Sequence, residues 1–359
     1  MTMNILHLVD EPYDSGIVHY ALTLAKGLQG RGHSVCVGGV AGAFPLAEAS
    51  RSDLETFPVR RFPAGLLDLR RIIAKKNIHI INAHTGSSHV LAVTAARFSR
   101  LPVQVVRTRG DDRPVRLPLV SRILWRRTAG FIAPTERILG EFKRAWPSQD
   151  IKVRAVLPGI PGSTISGNEP ASPPYRIGIL GRLDPVKGHA FFLRAAAFVL
   201  EEIPDAVFLV AGREENIKTR ELERLARELK LGDRVQFLGH VPDAWEFMRS
   251  CHMGVIASVG SEAISRAAIE WMSASRPIVA TEVGSLPEIT QEGKTGFLVP
   301  PAFPEAMADR ITKLLKDKAL RERMGDEALT QFATRFSLQR FINDTEAFYE
   351  DTLRRLPSR

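Results

Sequence analysis

The feature that most constrains the fold is an alternation of short apolar segments with amphipathic ones, which runs along the chain in two blocks. Residues 157–175 separate the blocks; this segment is rich in Pro, Gly and Ser and has no apolar period, so it predicts a linker. Alternating strand and helix patterns predict βαβ units, and hence parallel sheets covered by helices on both faces. We therefore expect an α/β protein of two doubly wound, Rossmann-like domains that face each other across a cleft, with ligands bound beyond the carboxyl ends of the strands.

The predicted elements are clearest in the second block. Strands are predicted at 175–180, 206–211, 234–238, 253–257 and 277–280, and helices at 188–202, 218–229, 243–250, 263–273, 304–316 and 320–332. In the first block, strands are predicted at 4–9, 34–38, 78–83, 104–107 and 130–133, with helices between them that begin with 18–29.

A last helix is predicted at 338–353. Phe341, Phe348 and Tyr349 recur along it at helical spacing, which is typical of a packing face. We expect this helix to brace the two domains. The expected domains are residues 1–165, residues 172–335 and, for the bracing helix, residues 336–359.

The cysteine count and the apolar pattern exclude several classes of protein. The 359 residues include two cysteines, Cys36 and Cys251, which lie far apart in the sequence. This excludes a disulfide framework and the zinc sites that need several cysteines, so we expect a reducing, cytosolic setting. No apolar segment reaches the roughly 18 residues of a membrane-spanning helix, and the first residues lack the basic and apolar regions of a secretory signal.

The positive charge lies in the first block. The chain has 49 Lys and Arg against 40 Asp and Glu, a formal charge of +9. Residues 1–168 hold 23 basic and 12 acidic residues (+11), whereas residues 169–359 hold 26 and 28 (−2). Residues 97–154 alone contain 14 basic residues and five acidic ones. Such a field attracts anionic lipid, a phosphorylated substrate or nucleic acid, although a solvated basic face explains the same counts.

A glycine turn in the second block has the features of a phosphate site. Residues 181–188 (GRLDPVKG) directly follow a predicted strand and open a predicted helix, so backbone N–H groups at the helix N-terminus are available to an anion. Arg182 and Lys187 add two positive charges. The Walker-type pattern is absent, and a plain basic turn is the alternative interpretation.

Two carboxylates accompany the helix predicted at 263–273. Glu262 lies just before this helix and Glu270 lies on it, eight residues further on. Eight residues span at most about 12 Å along a helix axis, which suits two ends of one nucleotide-sized ligand better than a pair of cooperating catalytic carboxyl groups. The amides of residues 264–266 are expected at the helix N-terminus between the two carboxylates.

Together these motifs resemble those of the retaining glycosyltransferases of family 4. The resemblance is carried by S-E-x7-E from Ser261, by R-P-I-V-A-T-E-V-G-S-L-P-E-I-T from Arg276 and by G-R-L-x3-K-G from Gly181. It extends over nearly the whole chain through Ser15-Gly16, Gly32-His33, His84 in I-N-A-H, L-G-H-V at 238–241 and the closing aromatic helix. The combination is specific, although no single piece is.

The resemblance implies the GT-B fold, with a nucleotide-sugar donor bound by the C-terminal domain and the acceptor held by the N-terminal domain. It implies that Arg182 and Lys187 hold the diphosphate without a metal ion. It also implies that Glu262 contacts the donor sugar near the reacting carbon and that Glu270 bonds the ribose hydroxyls. The remaining implied donor contacts are the amides of Ile264, Ser265 and Arg266, the close backbone approach at Gly16, and a base pocket at Gly212, Arg213 and Val241.

His84 completes the catalytic set implied by the resemblance, which is Glu262, His84, Arg182 and Lys187. The resemblance implies that His84 lies across the cleft, near the sugar. The alternative interpretation is that His84 is a hydrogen-bonded histidine of the core. No metal and no cofactor are expected; the nucleoside-diphosphate-sugar is a co-substrate.

The chain departs from the family pattern at two glycine positions. Ser265 stands where the family has a glycine that allows close approach of the ligand, and Ser275 stands where a glycine usually ends the helix. Arg266 adds a charge beside the expected sugar pocket. On this interpretation the phosphate and ribose contacts are kept, and the identity of the sugar is left open.

Resemblance and charge together predict a cytoplasmic, retaining glycosyltransferase that moves a hexose or heptose to an anionic or lipid-linked glycan acceptor, as in lipopolysaccharide or polysaccharide synthesis. Its expected partners are the donor, a glycan or glycolipid acceptor and, through the basic first block, the anionic inner face of the cytoplasmic membrane. Aromatic residues make up 7% and no nucleic-acid motif occurs, so nucleic acid is not expected.

Two alternatives from other classes stay open. One is a sugar-nucleotide epimerase on the same fold, and the other is a non-catalytic basic binding protein. The three functions differ in turnover: the donor is consumed only with an acceptor, is isomerised alone, or is not changed.

Overall fold

A computed structural model describes residues 2–111, 119–147, 151–162, 169–170, 173–260 and 262–354. The chain divides into two compact units, of which the first comprises Met1–Gly159 with Leu338–Arg359 and the second comprises Ile160–Ser337. Both are α/β units built around a parallel sheet, as the strand and helix patterns predict.

The first unit alternates strands with helices. Its elements are β1 (Asn4–Val9), α1 (Gly16–Gly30), β2 (Ser34–Gly39), α2 (Phe44–Arg51), β3 (Glu55–Pro58), α3 (Gly65–Lys76), β4 (Ile80–Ala83), α4 (Gly86–Arg97), β5 (Gln104–Thr108), α5 (Leu119–Trp125), β6 (Gly130–Ala133), α6 (Glu136–Ala145) and β7 (Lys152–Ala155). The strands pair in parallel in the order β3-β2-β1-β4-β5-β6-β7. The order reverses between β1 and β4, so the loops after these strands flank the crevice in which such sheets bind ligands.

The second unit repeats this design. Its elements are β8 (Tyr175–Leu180), a 3₁₀ turn (Pro185–Lys187), α7 (His189–Glu202), β9 (Ala206–Ala211), α8 (Thr219–Glu228), β10 (Val235–Gly239), α9 (Ala244–Arg249), β11 (Met253–Ile256), α10 (Arg266–Ser273), β12 (Ile278–Thr281), α11 (Leu286–Ile289), β13 (Gly296–Val299), α12 (Pro304–Lys316) and α13 (Lys318–Gln331). The strand order is β10-β9-β8-β11-β12-β13, all parallel, and it reverses between β8 and β11.

The cores explain why these strands lack an alternating pattern. Every residue of β9 is buried, because helices cover both faces of the sheet. Phe192 of α7 packs edge-to-face on Phe208 of β9, with ring centroids 5.5 Å apart. In the first unit, Phe142 of α6 stacks on Phe131 of β6 at 3.9 Å. Each such buried aromatic side chain contributes about 1.5–3 kcal/mol to folding.

The last helix, α14 (Leu338–Leu353), packs within the first unit. Phe341 lies edge-to-face against Tyr20 of α1, with ring centroids 4.6 Å apart. The hydroxyl of Tyr349 accepts a hydrogen bond from Nδ2 of Asn82 at 2.5 Å. The aromatic stripe is therefore a packing face, and the role of α14 as a brace between domains stays a prediction.

Some elements differ from the sequence prediction. Helix α10 begins at Arg266, whereas the prediction starts it at 263. The carbonyl of Glu262 accepts the N–H of Ser285 at 2.7 Å, which ties the segment before α10 to the loop after β12, and the carbonyl of Ser265 accepts the first bond of the helix. The short β3, β7 and β13 are missing from the prediction. Among the described residues, no helix combines the length and apolarity needed to cross a lipid bilayer.

Candidate functional site

The candidate site of the second unit lies where its strand order reverses. The loop after β8 (181–188) and the loop after β11 (257–265) leave the sheet side by side, because β8 and β11 pair in parallel. The N–H of Val259 bonds the carbonyl of Val186 at 2.8 Å and ties the loops together. Ser261, the first residue of the S-E-x7-E motif, lies outside the described residues. Most predicted donor residues of this unit fall on or beside these loops.

A glycine lets the two loops approach each other. Gly188 has φ +71°, and a Cβ at this position would lie 1.9 Å from the carbonyl oxygen of Ala257. No side chain fits there, and the left-handed backbone itself favours glycine. The glycine of the K-G pair is therefore required by the packing of the two loops.

Asp184 shapes the turn that carries the two predicted cations. Its carboxylate accepts the N–H of Val186 at 2.9 Å and the side-chain amide of Asn216 at 2.5 Å. Burial raises the pKa of Asp184, but these hydrogen bonds and the charges of Arg182 and Lys187 outweigh burial and lower the pKa below its ordinary value. Asp184 is therefore ionised, and its carboxylate holds the turn in place through these hydrogen bonds.

Lys187 and Glu262 form the centre of the site. Nζ of Lys187 donates to Oε1 of Glu262, and the hydroxyl of Ser258 donates to the same oxygen at 2.5 Å. Ser258 is held in turn by Thr281, whose hydroxyl donates to the Ser258 carbonyl at 2.6 Å. Glu262 is 2% exposed. Its carboxylate is therefore held in one place at the carboxyl edge of the sheet.

Glu270 is buried on α10 and paired with Arg266. Nε of Arg266 donates to Oε1 of Glu270 at 2.6 Å across one helical turn. The first helical bond runs from the N–H of Ile269 to the carbonyl of Ser265, so the N–H groups without a partner in the helix are those of Ser265, the N-cap residue, and of residues 266–268. These groups overlap the predicted set 264–266 at Ser265 and Arg266, and the contact of the predicted amides with the donor stays a prediction.

The two departures from glycine differ in their backbone conformation. Ser265 has φ −91° and ψ 86°, which other residues adopt as readily as glycine. Ser275 has φ +56°, in the left-handed region that favours glycine. It follows α10, and the N–H of the next residue, Arg276, bonds the carbonyl of Trp271 at 3.1 Å as in helices that end with glycine. Only Ser275 is therefore strained.

Arg182 and Arg213 lie on neighbouring loops, after β8 and β9. Gly212 has φ +150°, and a Cβ there would lie 1.8 Å from the carbonyl oxygen of Gly181, so these loops also touch through a glycine. Both arginines face Glu215: its carboxylate lies 3.6 Å from Nη1 of Arg182 and 3.7 Å from Nε of Arg213.

His84 and Gly16 lie at the corresponding edge of the first sheet. His84 directly follows β4 and is 2% exposed. Its Nε2 lies 3.0 Å from Nδ1 of His7 on β1. Burial, followed by the charges of His7 and Arg107, lowers the pKa of His84 well below its ordinary value, so the ring is neutral at physiological pH. Gly16 is the first residue of α1.

Within the second unit, the structure brings several of the predicted residues together. Lys187 contacts Glu262, Arg182 and Arg213 share Glu215, and Glu270 contacts Arg266. Val241 is half-buried just after β10. The expected donor contacts of all these residues, Gly16 and His84 included, stay predictions. In the described part of the chain, no three His, Cys, Asp or Glu side chains are grouped as metal ligands.

Sequence reasoning missed four residues that shape these two edges. One of them, Asp184, lies within the 181–188 turn, and the other three belong to no motif. Three of the four lie on or after strands that flank a reversal of strand order, and only that position could have indicated them. The exception is Glu215, which follows β9. The four residues are His7, Asp184, Glu215 and Ser258.

Both blocks of the chain match models of known families. Residues 15–162 match the model Glycosyltransferase Family 4, and residues 174–317 match the model Glycosyl transferases group 1. The chain belongs to glycosyltransferase family 4. The two matched regions are separated within the predicted linker, and together they include every predicted site residue of this glycosyltransferase.

Characterised relatives agree with the family. The glycosyltransferase is 26% identical over 348 residues to a phosphatidyl-myo-inositol mannosyltransferase of Mycobacterium leprae, covering 88% of this chain and 89% of the relative. It is 27% identical over 299 residues to the lipopolysaccharide core biosynthesis mannosyltransferase LpcC of Rhizobium leguminosarum, covering 80% and 82%. Several other relatives are matched over less than half of their own length.

The fold is also found among solved structures. Anabaena Alr3699/HepE in complex with UDP superposes with a TM-score of 0.84 at 19% identity, over 97% of this chain and 100% of the HepE chain. The predicted GT-B fold, with two Rossmann-like domains, is therefore confirmed for this family 4 glycosyltransferase.

Proposed function

We propose that this glycosyltransferase moves a hexose or heptose from a nucleoside diphosphate sugar to a glycan or lipid-linked acceptor, with retention at the anomeric carbon and without a divalent metal ion. The observation that carries the proposal is the placement of Arg182, Lys187 and Glu262 on two loops at the reversal of strand order in the second unit. Cations next to a fixed carboxylate suit a ligand with a diphosphate at one end and a sugar at the other.

The donor contacts follow from these charges. Arg182 and Lys187 offer positive charge to a diphosphate, and Glu270 offers a carboxylate to the ribose hydroxyls. Arg266 already bonds one oxygen of Glu270. Solved HepE structures contain UDP and UDP-glucose, and the two named relatives are mannosyltransferases. These comparisons support a hexose rather than a heptose as the transferred sugar.

In the proposed reaction, the bond from the anomeric carbon to the diphosphate breaks, and the acceptor hydroxyl bonds the same carbon from the same face. The hydroxyl proton passes to the leaving diphosphate. Negative charge develops on the diphosphate, and Arg182 and Lys187 stabilise it in the role that a metal ion has in other transferases. Glu262 places negative charge beside the sugar, where the reacting carbon becomes positive.

The acceptor side is supported by exposed side chains on two helices of the first unit, where arginines stand beside apolar residues. We name this set the cationic face: Arg97, Phe98 and Arg100 at the end of α4, and Arg122, Ile123, Arg126 and Arg127 on and after α5. Phe98 is 59% exposed and Ile123 is 65% exposed. Helices α4 and α5 are in contact, since the rings of His89 and Trp125 lie 4.8 Å apart.

The composition of the cationic face suits the surface of an anionic membrane. An apolar side chain can enter the lipid boundary while each neighbouring arginine gains about 1 kcal/mol from the anionic head groups. The relatives named for phosphatidyl-myo-inositol and for the lipopolysaccharide core support an acceptor of this kind. The enzyme would then act in the cytoplasm, bound peripherally to the inner face of the membrane.

Thermal unfolding with UDP, GDP, ADP, dTDP and CMP, each with and without magnesium, tests the donor. A ligand at 100 times its Kd stabilises by about 2.7 kcal/mol. We expect one nucleoside diphosphate to raise the midpoint without metal, and Arg182→Ala or Lys187→Ala to abolish this rise. If no nucleotide raises it, the donor site is wrong; if magnesium is required, metal independence is wrong. Sugar variants of that nucleotide, with the anomeric configuration of the product read by NMR, then test transfer and retention.

Sedimentation with vesicles tests the cationic face. We expect binding to vesicles that contain phosphatidylglycerol and none to phosphatidylcholine alone. Arg126→Glu with Arg127→Glu should abolish binding, whereas Arg220→Glu with Arg224→Glu, on exposed positions of α8, should not. Equal loss in both double variants would indicate a general effect of net charge.

A further inference from the structure

Glu215 forms ion pairs with the two arginines of the candidate donor site. Its carboxylate oxygens lie 3.6 Å from Nη1 of Arg182 and 3.7 Å from Nε of Arg213. One carboxylate is therefore shared by two guanidinium groups from the loops after two neighbouring strands of the sheet. The family motifs in the sequence do not include this residue.

Two hydrogen bonds hold the loops that carry these residues together. The N–H of Leu183 donates to the carbonyl of Arg213 at 2.8 Å, and the side-chain amide of Asn216 donates to Asp184 at 2.5 Å. These bonds join the loop after β8 to the loop after β9 on both sides of Glu215. The two arginines and the carboxylate are thus held within reach of one another.

The Glu215 contacts differ from the pair of Lys187 with Glu262. Charge-assisted hydrogen bonds are about 2.7–2.9 Å long, and both contacts of Glu215 exceed that length. The side chains of Arg182, Arg213 and Glu215 are 36%, 43% and 34% exposed. Solvent and salt weaken ion pairs of this kind. A ligand can therefore break the Glu215 contacts at low cost, whereas the carboxylate of Glu262 is buried and directly bonded.

We propose that Glu215 is an internal competitor of the donor, which holds Arg182 and Arg213 until the diphosphate takes its place. This rests on the proposed function, because it assumes a diphosphate ligand at Arg182. A diphosphate carries more negative charge than one carboxylate and displaces it, whereas a singly charged anion does not. After transfer, the returning carboxylate favours release of the nucleoside diphosphate. Glu215 thus sets the affinity of the site for its nucleotide.

The neighbouring Glu214 provides a matched control. Its Oε1 accepts the N–H of Thr219 at 2.8 Å, and its Oε2 lies 3.2 Å from Nζ of Lys218. It is therefore bonded to the start of α8. Glu214→Gln removes the same formal charge from the same loop as Glu215→Gln without touching these contacts of the arginines.

Isothermal calorimetry with UDP, GDP, ADP and dTDP, at low ionic strength, compares the wild type with the two variants. We expect Glu215→Gln to bind the nucleotide about three- to tenfold more tightly than the wild type, and Glu214→Gln to stay within about twofold of it. Unchanged or weaker binding by Glu215→Gln, or an equal gain in Glu214→Gln, overturns the inference and leaves the proposed function standing. A wild type that binds none of these four nucleoside diphosphates overturns both.

Discussion

The ammonium group of Lys187 donates a hydrogen bond to the carboxylate of Glu262, 75 residues further along the chain. The contact joins the loops after β8 and β11 at the reversal of strand order. Because the Glu262 side chain is only 3% exposed, its charge is compensated by Lys187 and by the hydroxyl of Ser258 rather than by water. The pair therefore links the two loops structurally and places opposite charges side by side in the candidate donor site.

Replacing Lys187 by methionine leaves a buried carboxylate without its cation. We expect the free energy of unfolding to fall by about 1–3 kcal/mol. Adding Glu262→Gln should restore most of this loss, because a neutral amide still accepts the Ser258 hydroxyl. Thermal unfolding of the two single variants and the double variant measures the coupling. A double variant less stable than Lys187→Met would contradict the importance of the pair.

Glu262 and Glu270 are expected to affect different kinetic constants. Under the proposed function Glu262 faces the reacting carbon, so Glu262→Gln should lower kcat by about 100-fold or more while the Kd of the nucleoside diphosphate stays within about threefold. Glu270→Gln, which changes the ribose contact, should instead weaken nucleotide binding. Transfer assays with calorimetry separate the two effects. Undiminished transfer by Glu262→Gln removes that residue from the mechanism.

Gly188 and Gly232 separate the effect of close packing from that of backbone conformation. Both have positive φ, but a Cβ at Gly188 would meet the Ala257 carbonyl at 1.9 Å, whereas nothing lies within 4 Å at Gly232. Gly232→Ala should cost about 1 kcal/mol for the left-handed backbone. Gly188→Ala should cost clearly more and should also weaken nucleotide binding, because the 181–188 loop must move. Equal losses of stability would mean that the loops can separate freely.

The two serines at family glycine positions should respond to glycine with opposite signs. Ser275 has φ +56°, so Ser275→Gly relieves strain and should raise the free energy of unfolding by about 0.5–1 kcal/mol. Ser265 has φ −91°, so Ser265→Gly only adds backbone freedom to the unfolded chain. This variant should lower the free energy of unfolding by a similar amount, about 0.5–1 kcal/mol. The unfolding midpoints of the two variants should move in opposite directions.

Much of the fold could be predicted because buried parallel strands and capped helices leave strong local patterns. Helix α12 has the predicted bounds, Pro304–Lys316, with a proline at its start. The edge strands β3 (ETFP) and β7 (KVRA) could not be predicted in the same way. Each has a single neighbour in the sheet and no fully buried residue, so its sequence lacks the apolar run of an inner strand.

The candidate site could be predicted only where a motif marks it. Arg182 and Lys187 stand out because glycines and a helix start surround them. Ser258 and Glu215 do not, since their roles depend on partners from other loops. The bond from the N–H of Ser285 to the carbonyl of Glu262, just before α10, likewise joins two segments that no local pattern relates. Contacts between segments that are distant in the chain determine these features, and the local pattern of a single sequence does not show which distant segments meet.

Buried histidines make the first unit sensitive to acid. Burial, with a smaller contribution from the charge of Arg107, lowers the pKa of His89 to about 3, and burial lowers the pKa of His7 to about 3. In the unfolded chain a histidine titrates near pH ~6.5. Below that pH the unfolded chain binds protons that the folded unit does not, so the free energy of unfolding falls with falling pH until about 3. Each such group contributes a slope approaching about 1.4 kcal/mol per pH unit.

His89→Gln isolates one of these groups. Nε2 of His89 lies 2.8 Å from Oγ1 of Thr128, and a glutamine amide can keep that bond without titrating. The variant loses the ring contact with Trp125 and should be less stable at pH ~8 than the wild type. Between pH ~6.5 and ~4.5, however, its free energy of unfolding should fall less steeply with falling pH than that of the wild type. The difference in slope should correspond to about one proton fewer taken up on unfolding. Urea unfolding at a series of pH values measures both slopes, and equal slopes would mean that His89 titrates normally in the folded unit.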